Sequence, residues 1–249
     1  MPIALQAGWW GLLAGGALVI GALIAWFVRV PRKVIAAIMA FGAGVLISAL
    51  AFDLVDEAES TGGLTPTIIG FLAGALVYVG ANVVLAKRGA QHRKRSSGRQ
   101  PSEDEQQGSG AAIAIGALLD GIPESVVLGL SLLGGGGVGF PVLAAIFISN
   151  LPEGLSSAAG MKASGRGARY VFGVWIGIAV ASGLAGLFGV LALDGASPET
   201  IAVITAIAAG AILAMIADTM IPEAFDEEHL FAGLITTLGF IISFTIERG

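Results

Sequence analysis

Cysteine is absent from this 249-residue chain, and only two histidines occur, His92 and His229. The first absence excludes disulfides, thiolate metal sites, iron–sulfur clusters and cysteine nucleophiles. The second excludes a metal cage built from imidazoles. Charge is also scarce: Asp, Glu, Lys and Arg make up 12% of the residues, about half the share of a soluble domain. Alternation of period two is missing, and the apolar runs are too long for barrel strands. No cleavable signal peptide is expected, because the first apolar run is long and Arg29, Arg32 and Lys33 follow it rather than precede it.

What the chain has is apolar length. It is 55% hydrophobic with 38 glycines, and its mean hydropathy is +0.87. Small residues let membrane helices approach closely, and about 20 apolar residues span a bilayer. Eight runs qualify: Ala7–Val28, Val34–Leu54, Thr67–Ala86, Ala111–Leu133, Gly139–Met161, Val171–Leu193, Thr200–Ile221 and Leu230–Ile246. The expected fold class is an all-α polytopic membrane protein with eight transmembrane helices in one membrane domain. Residues 1–86 carry the first three spans and 111–249 the last five. Between them, 87–110 reads KRGAQHRKRSSGRQPSEDEQQGSG, polar and without periodicity, which predicts a flexible, solvated cytoplasmic loop.

The basic residues orient the bundle. If the 87–110 loop is cytoplasmic, the first, fifth and seventh connections share its side, and 12 of the 13 Lys and Arg then lie there, all but Arg248. The positive-inside rule therefore places both termini on the non-cytoplasmic side of the inner (plasma) membrane. Trp9, Trp10 and Trp26 read as interfacial anchors.

Three acids fall mid-span: Asp120 and Glu124 in the fourth run, Glu153 in the fifth. A carboxylate at mid-membrane costs about 2.5–3.5 kcal/mol even on the lower scales, so such groups meet a cation, a proton or water. Their settings match. Asp120-Gly121-Ile122-Pro123-Glu124-Ser125 stacks two acids four apart on one helical face, and Ser149-Asn150-Leu151-Pro152-Glu153-Gly154 repeats that spacing with Ser149 and Glu153. The short connection around Gly134–Gly137 makes the two spans antiparallel neighbours. Pro123 and Pro152 cannot donate to the carbonyls of Leu119 and Ile148, which kinks each helix. The result is an oxygen-rich ligand set of Asp120, Glu124, Ser149, Asn150 and Glu153, suited to a divalent cation. Asp53 and Glu57, at the end of the second span, read either as a cation-attracting entrance or as a solvated helix end. Asp218, in the last turns of the seventh span, reads as an exit ligand or a backbone-satisfied acid. Asn82 reads as an interhelical hydrogen bond, and His92 and His229 as loop residues.

DGIPES, SNLPEG and the run AMIADTMIPEA over 214–224 resemble, in this order, the signatures of the ZIP family of divalent-metal transporters. The resemblance covers most of the chain. It implies that Asp120 stands where the family has a histidine, that Glu124 and Glu153 are metal-bridging glutamates, and that Ser149 and Asn150 replace other ligands. It also implies a homodimer and an elevator-like movement of spans one, four, five and six against the other four. The all-oxygen set shifts preference from zinc toward harder ions such as manganese, magnesium or calcium; iron and cadmium are further candidates. The metal is a substrate, no resident cofactor is implied, and the partners are the ion, the bilayer and a second copy, with no nucleic acid. Two other readings compete with transport: a non-transporting metal-binding sensor, and an intramembrane hydrolase using Asp120 with Glu124 or Glu153. No serine–histidine pair supports the latter, so a non-enzymatic role is expected.

Overall fold

The computed structural model describes residues 1–96, 99–132, 140–227 and 230–248, and these are overwhelmingly helical. Leu133, the Gly134–Gly137 connection, Gly139, Glu228 and His229 lie outside the described residues. Each apolar run became a helix: α1 Ile3–Phe27, α2 Arg32–Gly62, α3 Leu64–Ala90, α4 Ser109–Ser131, α5 Phe140–Ala163, α6 Ala168–Leu193, α7 Pro198–Asp226 and α8 Ala232–Arg248. Among the described residues seven of these are long and apolar enough to cross a bilayer, the architecture of a multi-pass membrane protein. The exception is α8, at 17 residues.

Helix ends follow local chemistry. Pro2, Pro31 and Pro198 start α1, α2 and α7, where a missing N–H costs nothing. Ser197 caps α7 by accepting from the Thr200 amide. Gly63 takes φ +83° to turn the chain from α2 into α3. Helices α2, α3 and α7 each contain one π-helical turn, at Leu50–Leu54, Ala86–Ala90 and Ile216–Met220. Two of these turns hold an acid the sequence singled out, Asp53 and Asp218, in keeping with the tendency of π-turns to mark functional positions.

The helices pack as two groups. In one, α1 lies along α5 and α6, and α6 along α4. In the other, α3 lies along α7, and α2 along α7 and α8. Reciprocal glycines set the tightest crossings. A Cβ on Gly154 would strike the Leu18 carbonyl and one on Gly21 the Leu151 carbonyl (α1–α5); Gly74 and Gly210 stand likewise against Ile207 and Phe71 (α3–α7), and Gly44 and Gly239 against Thr236 and Phe41 (α2–α8). Backbone meets backbone there, which is how helices gain packing energy where lipid gives no hydrophobic drive. Helix α8 runs parallel to α2, since Ala40 meets Ala232 and Ser48 meets Glu247.

Between the groups the main contacts are α2 with α5 and α4 with α7 and α3. A cavity of 230 Å³ lies on this seam, lined by residues including Tyr78, Leu119, Pro123 and Ala208. The outward faces of α3, α6 and α8 are apolar and exposed, among them Ile69, Leu76, Phe188, Leu191 and Leu234. That is the expected surface for a lipid-facing helix.

Candidate functional site

Asp120, Glu124 and Glu153 come from the middles of α4 and α5, and each is at most 3% exposed. Pro123 and Pro152 lie inside continuous helices, as the sequence implied. Helices α4 and α5 make little direct backbone contact with each other. Their motifs are joined instead by cations from the segment expected to be a solvated loop.

That expectation is corrected by the structure. Arg93, Lys94, Ser96 and Gln100 are buried, with Arg93 only 1% exposed. The Arg93 guanidinium grips Asp120 with both arms, Nε to Oδ2 at 2.9 Å and Nη2 to Oδ1 at 2.8 Å. Tyr78 of α3 completes the clasp, donating to Asp120 Oδ1 at 2.6 Å while accepting from Arg93 Nη2 at 2.8 Å. Arg93 Nη1 donates to Asn82 at 2.7 Å, and Asn82 in turn donates to Asp218 at 3.1 Å. Lys94 places its ammonium 2.7 Å from Glu153 Oε2 and 3.4 Å from Asp120 Oδ2. The contact with Glu153 is a close, buried ion pair. Physically, three carboxylates withdrawn from water demand counter-charge, and the nearest cations in the chain supply it.

The docked segment has its own seat. A Cβ on Gly116 would collide with the Arg93 side chain, and one on Gly160 with the Gln100 amide and the Arg95 carbonyl, so two glycines open the trough it lies in. Gln100 donates to the carbonyls of Arg93 and Ser157 at 2.9 and 3.1 Å. Glu223, buried near the end of α7, accepts from the Ser96 amide (2.9 Å), the Ser96 hydroxyl (2.5 Å) and the Ser156 hydroxyl (2.8 Å). Arg95 and Arg99 pair with Asp226 at 3.6 and 3.0 Å. Further along, Glu103 accepts from the amides of Gly108 and Gly110 and pairs with Arg166 at 3.2 Å. These donors hold the Glu103 carboxyl below the usual range, the backbone bonds counting most.

One acid remains without a partner. Among the described residues, both buried oxygens of Glu124 find no hydrogen-bond donor, and the same holds for Glu153 Oε1. Glu124 lies within electrostatic reach of Glu153, Lys94 and Asp120. Three carboxyl groups thus share two cations.

The other candidate residues divide. Ser149 spends its hydroxyl on the Ile146 carbonyl at 3.0 Å, and Asn150 its amide on the Ala14 carbonyl of α1 at 3.0 Å. Asp218 is exposed and meets the network through Asn82. Asp53 and Glu57 stand at the far end of α2, where Asp53 faces Glu247 of α8; Ser48 and Ser243 donate to that same Glu247 at 3.3 and 3.0 Å. Among the described residues no three His, Asp or Glu side chains stand close enough together to hold a metal ion. Asp120 instead accepts from Arg93 and Tyr78.

Tyr78, Arg93, Lys94, Gln100, Ser156 and Glu223 are the site residues that sequence reasoning missed. A signal existed for two of them. Three mid-span acids need positive partners, and His92-Arg93-Lys94-Arg95 is the densest basic run in the chain, in the connection that leads into α4. No family model matches this chain, and no curated protein matches it.

Proposed function

We propose that this chain transports a divalent metal cation across the membrane toward the cytoplasm, as an eight-span relative of the ZIP transporters. The observation that carries this reading is Glu124: a carboxylate at mid-helix, fully buried, with neither oxygen partnered, beside a Glu153 that also has one oxygen free. An acid kept in that state serves a positive ligand that comes and goes. Glu124 and Glu153 are the ligands at the centre of the proposal, and Asp120 joins them when Arg93 lets go.

Other features support the reading. Helices α1, α4, α5 and α6 associate among themselves, as do α2, α3, α7 and α8, the division on which an elevator movement depends. Helix α8, about 25 Å long at 1.5 Å per residue, runs parallel to α2 and serves as the eighth span. The proposal includes the inner membrane, both termini outside, and a homodimer. Oxygen ligands favour manganese or another hard ion, with zinc retained as a carboxylate-tolerant alternative.

The ion pairs of Arg93 and Lys94 also favour a second reading, a non-transporting protein whose metal site has been closed by its own side chains. Flux separates the two. Purified protein in proteoliposomes takes up zinc or manganese on the transport reading, and Glu124→Ala and Glu153→Ala abolish uptake. Wild-type-like uptake in both variants would sink the ligand assignment, and binding without flux would favour the second reading.

A further inference from the structure

The docked segment occupies the very groups that a transported cation needs. Lys94 sits on Glu153 and Asp120, and Arg93 covers both oxygens of Asp120. These cations are not part of the helices that carry the acids; they arrive on a connection, after Gly89 breaks the helix with φ +98°. A cavity of 210 Å³ adjoins the segment, lined by its own Gln91, His92, Lys94 and Arg95 and by Asp218, Thr219 and Pro222 of α7. What holds the segment down is polar and reversible: Glu223 with Ser96 and Ser156, and Gln100 on the Ser157 carbonyl of α5.

We propose that Arg93 and Lys94 are a tethered competitor of the transported cation, holding Asp120 and Glu153 when the site is empty of metal and withdrawing into the adjoining cavity when metal binds. The inference rests on the transport reading and adds its regulation. Glu124, the one acid the segment leaves unpartnered, is where an incoming cation first binds. Its arrival beside Lys94 sets two positive charges against each other in a buried site, which weakens the hold of Lys94 on Glu153. The segment must then leave for Glu153 and Asp120 to become ligands. Conversely, with no cation present, the segment closes the carboxylates against the aqueous side and suppresses leak.

The absence of cysteine makes the test clean. The hydroxyls of Ser96 and Ser156 both reach Glu223 Oε1, so a Ser96→Cys/Ser156→Cys pair can be oxidised to fasten the segment to α5. Manganese uptake by proteoliposomes is measured for the oxidised and the reduced double variant. Oxidation is expected to lower initial uptake about tenfold or more, with recovery on reduction, because the competent state is then scarcely populated. A second variant, Lys94→Gln, keeps the Arg93–Asp120 clasp and is expected to tighten manganese binding by about tenfold. Uptake indifferent to oxidation, together with unchanged affinity in Lys94→Gln, overturns the competitor while leaving transport standing. Absence of both binding and uptake in the wild type, the reduced pair and Lys94→Gln overturns the transport reading and the competitor with it.

Discussion

Lys94 bridges α4 and α5 through Asp120 at 3.4 Å and Glu153 at 2.7 Å, although the two helices scarcely touch each other. The acids of the two proline-containing motifs are therefore brought together by a residue from outside both spans. Anything that moves the 91–100 segment changes the charge balance at mid-membrane. The predictions below follow from that dependence.

Among the described residues the Arg93–Asp120 pair is the most deeply buried ionic contact, with each side chain 1% exposed. Removing one partner leaves a buried charge uncompensated, which costs about 3–5 kcal/mol, whereas apolar replacement of both is close to neutral. Arg93→Met and Asp120→Leu alone should each lower the thermal midpoint in detergent markedly, and the double variant should recover most of the loss. Singles that unfold at the wild-type temperature would show that the pair is not held in the membrane-embedded protein.

Two glycines on α3 should behave oppositely. A Cβ on Gly74 would collide with the Ile207 carbonyl of α7, while one on Gly80 meets open space. Gly74→Ala forces the α3–α7 crossing apart at a cost of about 1–3 kcal/mol. Gly80→Ala gains a few tenths, up to about 1 kcal/mol, through the unfolded chain. Melting curves of the two variants in the same detergent decide this, and equal midpoints would contradict the close crossing.

His92 gives the docked segment a pH dependence. Its pKa is lowered from the ordinary value of 6.5, by burial first and then by Arg95 and Arg99, with Asp226 opposing. The folded state therefore refuses a proton that the unfolded chain accepts. No penalty exists above the unfolded pKa; it grows as pH falls through that value and is complete below the folded pKa. Between about pH 8 and about pH 5.5, wild type should lose more thermal stability than His92→Gln. Parallel losses in the two proteins would remove His92 as the cause.

The sequence made much of this architecture legible, for physical reasons that can be named. Apolar runs near 20 residues predict spans irrespective of tertiary detail, and each became a helix, with α2 extended beyond Leu54 to Gly62 and α7 to Asp226. Asp120, Glu124 and Glu153 were recognisable because mid-span acids are costly, and burial followed. The docked segment was not legible. A run such as Arg93-Lys94-Arg95 is ordinarily solvated, and nothing local distinguishes it from one that folds inward; its partners lie on α3, α4, α5 and α7, from Asn82, 11 residues before Arg93, to Pro222, 127 residues after Arg95. Ser149 and Asn150 show a further relationship that spacing alone does not reveal: Ser149 donates to the Ile146 carbonyl one turn back, and Asn150 donates across to the Ala14 carbonyl of α1.

Glu247 extends the same lesson to the far end of the bundle. It faces Asp53 and accepts from Ser48 and Ser243, linking α2 to α8. Ser48→Ala with Ser243→Ala removes both hydroxyl donors and should destabilise the protein by about 1 kcal/mol, since the half-buried acceptor loses its bonds. An unchanged melting midpoint would mean that water satisfies Glu247 instead.

The most direct test of the central claim is to locate manganese by anomalous diffraction in crystals grown with and without the ion. The account predicts a manganese peak bounded by the carboxylates of Glu124 and Glu153, with Lys94 withdrawn from Glu153. Saturating manganese with no peak at these acids, and Lys94 still against Glu153, would contradict it.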